Sequence, residues 1–591
     1  MINTIVSFTR RCFSFWWITG PIFDKELRVS SRRRRNYLLR FVYLGLLTLF
    51  LVLFWLEVVR QSGNSAAYRA SRMAEAGMGI TAYIIWFQFL ATQLVAVIML
   101  STSISDEVYH RTLGSLMSTP INSFQIVMGK LFSKLLQIII LLAISMPLLA
   151  IVRIFGGVQW NFILSSLCIT LTTVIFVGSL SLFYSILNRR AYVVIILTFL
   201  TVGLLFAVLP MITGLLNETY DIYDEMEFFT VLSYVNPYLT LGANTEKMTS
   251  AGGMFTFSWP LHCGIMLAGA AVILAVSVSM VRKVALLQAI GQLDGSRKRR
   301  IFKKSKGGAQ PEYASRIKRV KGPAVLWKEL RSPIFGRRKL ITFIILFIGL
   351  ALLVITYVLI GGENNLDDEV VHMIYTCVFM SIGLLFTIIL PATSITSEKE
   401  SLSWPILLAT PLSDGNIMSG KFIGAIRRSL PIWLLLFGHI ILFSLIGYIH
   451  PFAIFMMAVV VAGIIVLLCG SGIYFSTRFK KTTTAVVMNF SFAVLIWAII
   501  PFIMALILAI SRSGEDIIEN YCEIIPFVQG VLVMDVAAGS SGSLEGPVHW
   551  PSGQMDIMES TFLMIKFMLG YMLVGLLFAW RAKCRFRKHV F

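Results

Sequence analysis

The chain has 591 residues, of which 57% are hydrophobic and 14% charged, with a formal net charge of +21. A soluble protein of this length carries about a quarter charged residues, so the composition excludes a water-soluble fold and points to a polytopic membrane protein. Seven cysteines are scattered without a CxxC pair, which speaks against a disulfide framework and a zinc site.

In chain order, the first recognisable element is GPIFDKELR (20–28), a charged entry segment with Lys25 and Glu26. Crossing a hydrocarbon layer of about 30 Å takes about 20 apolar residues in a helix. Such runs follow at 41–59, 80–103, 131–153, 161–187, 191–216 and 260–281. Between the second and third lies the polar stretch SDEVYHRTLGSLMSTPINSFQIVMGK (105–130). Its Leu113, Leu116 and Met117 fall at helical spacing, which predicts a short helix from Asp106 to Ser118 with one apolar face. Asp106 and Glu107 sit where the helix dipole favours negative charge. Thr119-Pro120 stops the helix, because proline disfavours helix at the residue before it. Asn122 and Gln125 are placed to cap the next helix.

A basic linker, 291–321, joins this half to the next. Beside two membrane helices its Lys and Arg are expected to meet anionic lipid headgroups, not nucleic acid. The pattern then repeats. GPAVLWKELR (322–331) carries Lys328 and Glu329, further apolar runs lie at 340–360, 370–394, 429–449, 453–476, 484–510 and 560–580, and TSEKESLSWPILLATPLSDGNIMSGK (396–421) stands between the second and third of them. One offset of 291 takes Glu107 to Glu398, Thr119-Pro120 to Thr410-Pro411, Gly129-Lys130 to Gly420-Lys421 and Pro210 to Pro501. The expected architecture is all-α, with about twelve transmembrane helices in two parallel-oriented six-helix repeats, 1–290 and 322–591. Most of the 51 Lys and Arg fall on the side of the termini and charged loops, which places both termini in the cytoplasm.

The ordered set of GPxxxKEL entry, loop glutamate, Thr-Pro and Gly-Lys, with six spans per unit, resembles the permease subunits of type-2 ATP-binding-cassette (ABC) exporters. The resemblance implies that 106–120 and 397–411 are coupling helices seated in a groove of an ATPase dimer made elsewhere, and that the two entry segments are amphipathic elbows at the membrane surface. Carried over by position, the first loop would contribute Asp106, Glu107, Arg111, Leu113, Leu116, Thr119 and Pro120, and the second Glu398, Leu407, Thr410 and Pro411. Glu107 and Glu398 are the leading candidates for polar contacts to the ATPase. Lys25, Glu26, Lys328 and Glu329 would lie on the elbows. No cofactor is expected in this chain, ATP and Mg being bound by the partner.

Enzymatic chemistry finds no support. GNIMSGKF (415–422) approaches a phosphate-binding loop, but Phe422 stands where a hydroxyl would hold Mg²⁺. The alternative transporter class, an ion-coupled carrier of the major-facilitator type, needs carboxylates near the midplane, and the apolar runs offer none well placed. His439 reads as a lone packing histidine. Gln88, Gln93, Thr376, Asn489 and Ser491 read as helix-to-helix hydrogen-bonding residues.

Overall fold

A computed structural model describes residues 15–32, 34–60, 65–110, 112–154, 156–220, 222–249, 257–289, 322–331, 339–362, 365–511, 521–538, 548–550, 553–555 and 557–587. The basic linker and Arg111 lie outside them. Two compact units emerge, Met1–Asn217 with Asp221–Tyr313, and Ala314–Phe591 with Glu218–Tyr220.

In the first unit the elbow α1 (Phe15–Ser31) bends at Gly20, whose φ of 60° only glycine adopts without strain. The Gly20-Pro21 pair thus ends one chain direction and starts another. Gly322 also has a positive φ, 79°, just before the second elbow. The long helices α2 (Arg34–Arg60), α3 (Ala66–Ser101), α6 (Ser123–Arg153), α7 (Trp160–Leu187) and α12 (Trp259–Ala289) form the bundle, with the short α4 (Ser105–His110) and α5 (Leu113–Met117) between α3 and α6. The fifth span is α8 (Ala191–Gly203) and α9 (Leu209–Tyr220), joined by the π-helical turn Leu204–Val208. Outside it stand α10 (Glu225–Val235) and α11 (Pro237–Thr249).

The second unit follows the same order. It runs through the elbow α13 (Ala324–Arg331), α14 (Lys339–Gly362), α15 (Glu369–Thr393), the short α16 (Thr396–Glu400) and α17 (Trp404–Leu408), α18 (Asp414–Ile446) and α19 (Phe452–Arg478). Next come α20 (Thr482–Val494), the π turn Leu495–Ile499, α21 (Ile500–Ser511), α22 (Pro526–Ala538) and α23 (Ile557–Arg585). A small antiparallel hairpin, Val548–Trp550 with Gly553–Met555, stands before α23, and the other regular elements among the described residues are helices. Among the described residues ten helices are long and apolar enough to cross a membrane, and an eleventh span is formed if the bent pair Gly20–Ser31 and Asn36–Val52 counts as one. The described apolar helix Phe347–Gly362 stands at the seventh expected run.

The π turns sit 291 residues apart, each just before a proline, Pro210 or Pro501. Proline gives no N–H to the preceding turn and its ring crowds the carbonyl there; widening the helix makes room. Partners from the segment that follows the fifth span then serve the freed carbonyls. Asn236 Nδ2 donates to Phe206 O at 2.9 Å, and the Tyr521 hydroxyl to Ile496 O at 2.9 Å.

The predicted single helix over 106–118 is two helices broken in the middle. In the second unit Ser403 N–H donates to Glu398 O (3.0 Å) and Leu402 N–H to Lys399 O (3.2 Å), with Leu402 at φ 56°. That is a Schellman ending with leucine where glycine usually stands. The first unit shares its long bond, Thr112 N–H to Glu107 O at 3.0 Å. The break turns Leu113 back into a core with Leu100, Ile104, Val127, Leu131 and Leu182.

Candidate functional site

Each charged loop is held from three sides by the same residues in both units. On its inner side, one serine hydroxyl on the fourth span accepts the N–H groups of two successive loop residues. Ser185 takes those of Ile104 and Ser105, both at 2.9 Å, and Ser476 takes those of Ile395 and Thr396 at 2.8 and 2.9 Å. These donors open short helices and would otherwise be unsatisfied. At its far end, Thr119 Oγ1 donates to Leu116 O (2.5 Å) and Thr410 Oγ1 to Leu407 O (2.6 Å). The threonine of each Thr-Pro pair thus closes the helix that the proline ends. Beyond it the next helix is capped as expected, Asn122 N–H donating to Gln125 Oε1 (3.3 Å) and Asn416 N–H to Ser413 Oγ (3.3 Å).

The third hold is ionic. Lys130 lies 2.7 Å from Glu107 of the loop and 4.0 Å from Glu26 of the elbow, and donates to Ser103 O. Lys134 completes the elbow pair, 3.1 Å from Glu26. Its counterpart junction is tighter. Lys421 is 2.6 Å from Glu329 and 2.7 Å from Glu398, and donates to Ser394 O at 3.3 Å. Lys328 reaches Glu398 at 2.7 Å, and Arg428 pairs with Glu329. Only 2% of the Lys421 side chain is exposed. Burial alone would raise the Glu398 carboxyl, yet Lys421 and Lys328 hold it below the usual carboxylate range. Among the described residues, the second oxygen of Glu107 and of Glu398 is buried without a hydrogen-bond partner.

The glycine of the Gly-Lys pair has its own reason. A Cβ on Gly420 would stand 3.0 Å from Leu326 N and 3.1 Å from Val325 Cβ of the elbow. One turn on, a Cβ on Gly424 would be 2.6 Å from Glu329 Cβ. Small residues let the elbow reach the lysine.

These positions change the reading of the two loop glutamates. Each pairs on its bundle side with a buried lysine that needs counter-charge, Glu107 with Lys130 and Glu398 with Lys421. Leu113 is buried, Leu116 and Leu407 are half-buried, and Asp106, Thr119, Pro120 and Pro411 are exposed, with Thr410 half-buried. Lys25 is exposed on its elbow, and Arg111 lies outside the described residues. Sequence reasoning missed Ser185 and Ser476, although the offset of 291 links them as it links the glutamates.

The near-match to a phosphate loop, 415–422, forms the first turns of α18, and its Lys421 is spent on Glu329 and Glu398. His439 is not alone either. Its Nδ1 lies 2.6 Å from the Tyr357 hydroxyl and its Nε2 3.4 Å from His372 Nδ1, inside a ring of Tyr375, Phe379 and Phe443. Most of the polar residues named above bind helix to helix: Ser145 donates to Gln88 Oε1 (2.7 Å), Tyr238 to Gln93 Oε1 (2.9 Å), and Asn489 joins Ser471 and Ile388 O (both 2.7 Å).

A duplicated bundle of membrane-length helices, with an elbow and loop fused by charge at one end of each half, defines a multi-pass membrane permease of two joined repeats. The family model for ABC-2 family transporter proteins matches the chain twice, at residues 21–286 and 323–588, and the chain belongs to that family. Among curated proteins, none matches it.

Proposed function

We propose that this chain is the membrane component of an exporter driven by a separate ATPase dimer, which binds ATP and Mg and grips the two charged loops. The observation that carries the reading is the elbow–lysine–loop junction, built twice from the same Glu, Lys and Glu. It ties loop, elbow and the foot of the third span into one piece while leaving the loop's outer face open. Force applied to that face is passed to α6 and α18 without being lost in a slack connector. Asp106, Leu116, Thr119 and Pro120, with Leu407, Thr410 and Pro411, lie on or beside the docking face. Glu107, Glu398, Glu26 and Glu329 act behind it as positioning residues.

In this reading the loops and both termini lie in the cytoplasm, in keeping with the excess of Lys and Arg there, and the protein resides in the inner membrane. The linker 291–321 rests on anionic headgroups. Purification of the tagged chain from native membranes should recover an ATPase of the ATP-binding-cassette class. Recovery of none, with transport driven by a proton gradient in vesicles lacking ATP, would overturn the proposal in favour of an ion-coupled carrier.

A further inference from the structure

The two loops share a scaffold but present different outer faces. On the second loop Leu402 is 78% exposed and Ile406 71%, with Pro405 and Ala409 exposed beside them. The residues at the same offset in the first loop are Arg111, Ser115, Gly114 and Ser118. Ser115 and Ser118 are exposed, and so are Asp106, His110 and Thr112. At the same offset, Ser397 and Ser401 are the counterparts in sequence of Asp106 and His110.

The apolar face is not a failure of packing. Trp404, in the same short helix, is almost fully buried against Phe586 at 5.0 Å between ring centres, so α17 already has an inward side. Leu402 is held outward by a left-handed backbone that leucine adopts only at a cost. The exposed Glu400 is occupied in capping α20, accepting from Thr482 N and Oγ1, both at 2.7 Å. Among the described residues of the second loop, Glu398, Lys399 and Glu400 are all engaged, so its face offers grease, while the first offers an acid, an imidazole and hydroxyls.

Resting on the proposed ATPase partner, we infer that the two loops are unequal docks. The second seats Leu402 and Ile406 in an apolar groove of the ATPase and supplies most of the grip. The first makes a polar, weaker contact. One groove cannot complement both faces, since a pocket shaped for two aliphatic side chains would strip water from Asp106 and His110 without repaying it.

The test uses the full chain and its co-purified ATPase. Leu402→Ser with Ile406→Ser should reduce recovered ATPase about tenfold or more, as expected for losing two buried aliphatic side chains, and the residue of complex should dissociate as salt is raised. Asp106→Ala with His110→Ala should reduce it less and leave a salt-resistant complex. Ser115→Ile with Ser118→Ala should raise salt resistance. All six positions are exposed, so unchanged thermal unfolding is the control for folding. Equal losses from the two loops, or unchanged recovery with L402S/I406S, overturn the inference, the apolar face then serving lipid or a second copy of this chain. Failure of the unmodified chain to recover any ATPase instead overturns the exporter reading on which it rests.

Discussion

Lys421 stands between two carboxylates with almost no access to water, and each has one further cation, Arg428 for Glu329 and Lys328 for Glu398. Replacing it by methionine removes the cation that the two acids share in a low-dielectric junction and leaves each with its outer partner. Breaking a buried pair from one side costs about 3–5 kcal/mol, and with the outer cations in place we expect about 3. Thermal unfolding in detergent should show K421M well below the parent, with Glu398→Gln recovering part of the loss. Lys399 offers a second residue-scale prediction. Its ammonium donates to the carbonyls of Ser476, Thr477 and Phe479 at the end of α19, while burial, with Lys480 nearby, pushes its pKa down to about 8. An unfolded lysine titrates near about 10.4. Between these values the unfolded chain holds the extra proton, so this residue's contribution to stability rises with pH across that window and is flat below it. A titration of methylated lysines by NMR should give a midpoint near pH 8 for the signal lost in Lys399→Met. That the Gly-Lys pairs matter was legible in the sequence because they recur. That Glu107 and Glu398 face inward was not, since the pattern cannot tell a carboxylate awaiting a partner from one already matched by a lysine some two dozen residues on.

At the scale of elements, the long apolar helices were legible from length alone, whereas the breaks were not. Leu402 carries none of the glycine signal that usually marks a helix ending, and the π turns depend on prolines whose effect is felt a turn earlier. Helix crossings were equally hidden. In the second unit α19 and α23 approach so closely that a Cβ on Gly575 would fall 2.4 Å from Val466 O and 2.7 Å from Leu467 Cα, and one on Gly470 would fall 2.0 Å from Gly575 O. Backbone cannot step aside as a side chain can. Gly575→Val should cost about 3 kcal/mol, the upper end of what overpacking usually does. Gly570, on the same helix, has nothing within 4 Å of its missing Cβ. Gly570→Ala should be neutral or gain up to about 1 kcal/mol by restricting the unfolded chain. Unfolding midpoints of the two variants, measured side by side, should move in opposite directions or only the first should move.

For the molecule as a whole, the duplication was the most legible fact, because a constant spacing over more than a hundred residues survives even where side chains have drifted. The segments between the fifth and sixth spans were not legible: α10, α11 and α22 are short, and the strand pair before α23 spans three residues on each side. The second half alone holds the His372–His439 pair, against Thr81 and Leu148 in the first, so the halves differ inside the bundle as well as on the loop faces. The widened turn in the fifth span separates what the halves share from what each has of its own. Leu204–Val208 and Leu495–Ile499 keep the same irregularity at the same spacing, yet different residues, Asn236 and Tyr521, tend the carbonyls it frees. The irregularity thus follows the proline that both halves keep, whichever side chain serves the carbonyl it frees, so the kink belongs to the shared scaffold and its attendant to each half.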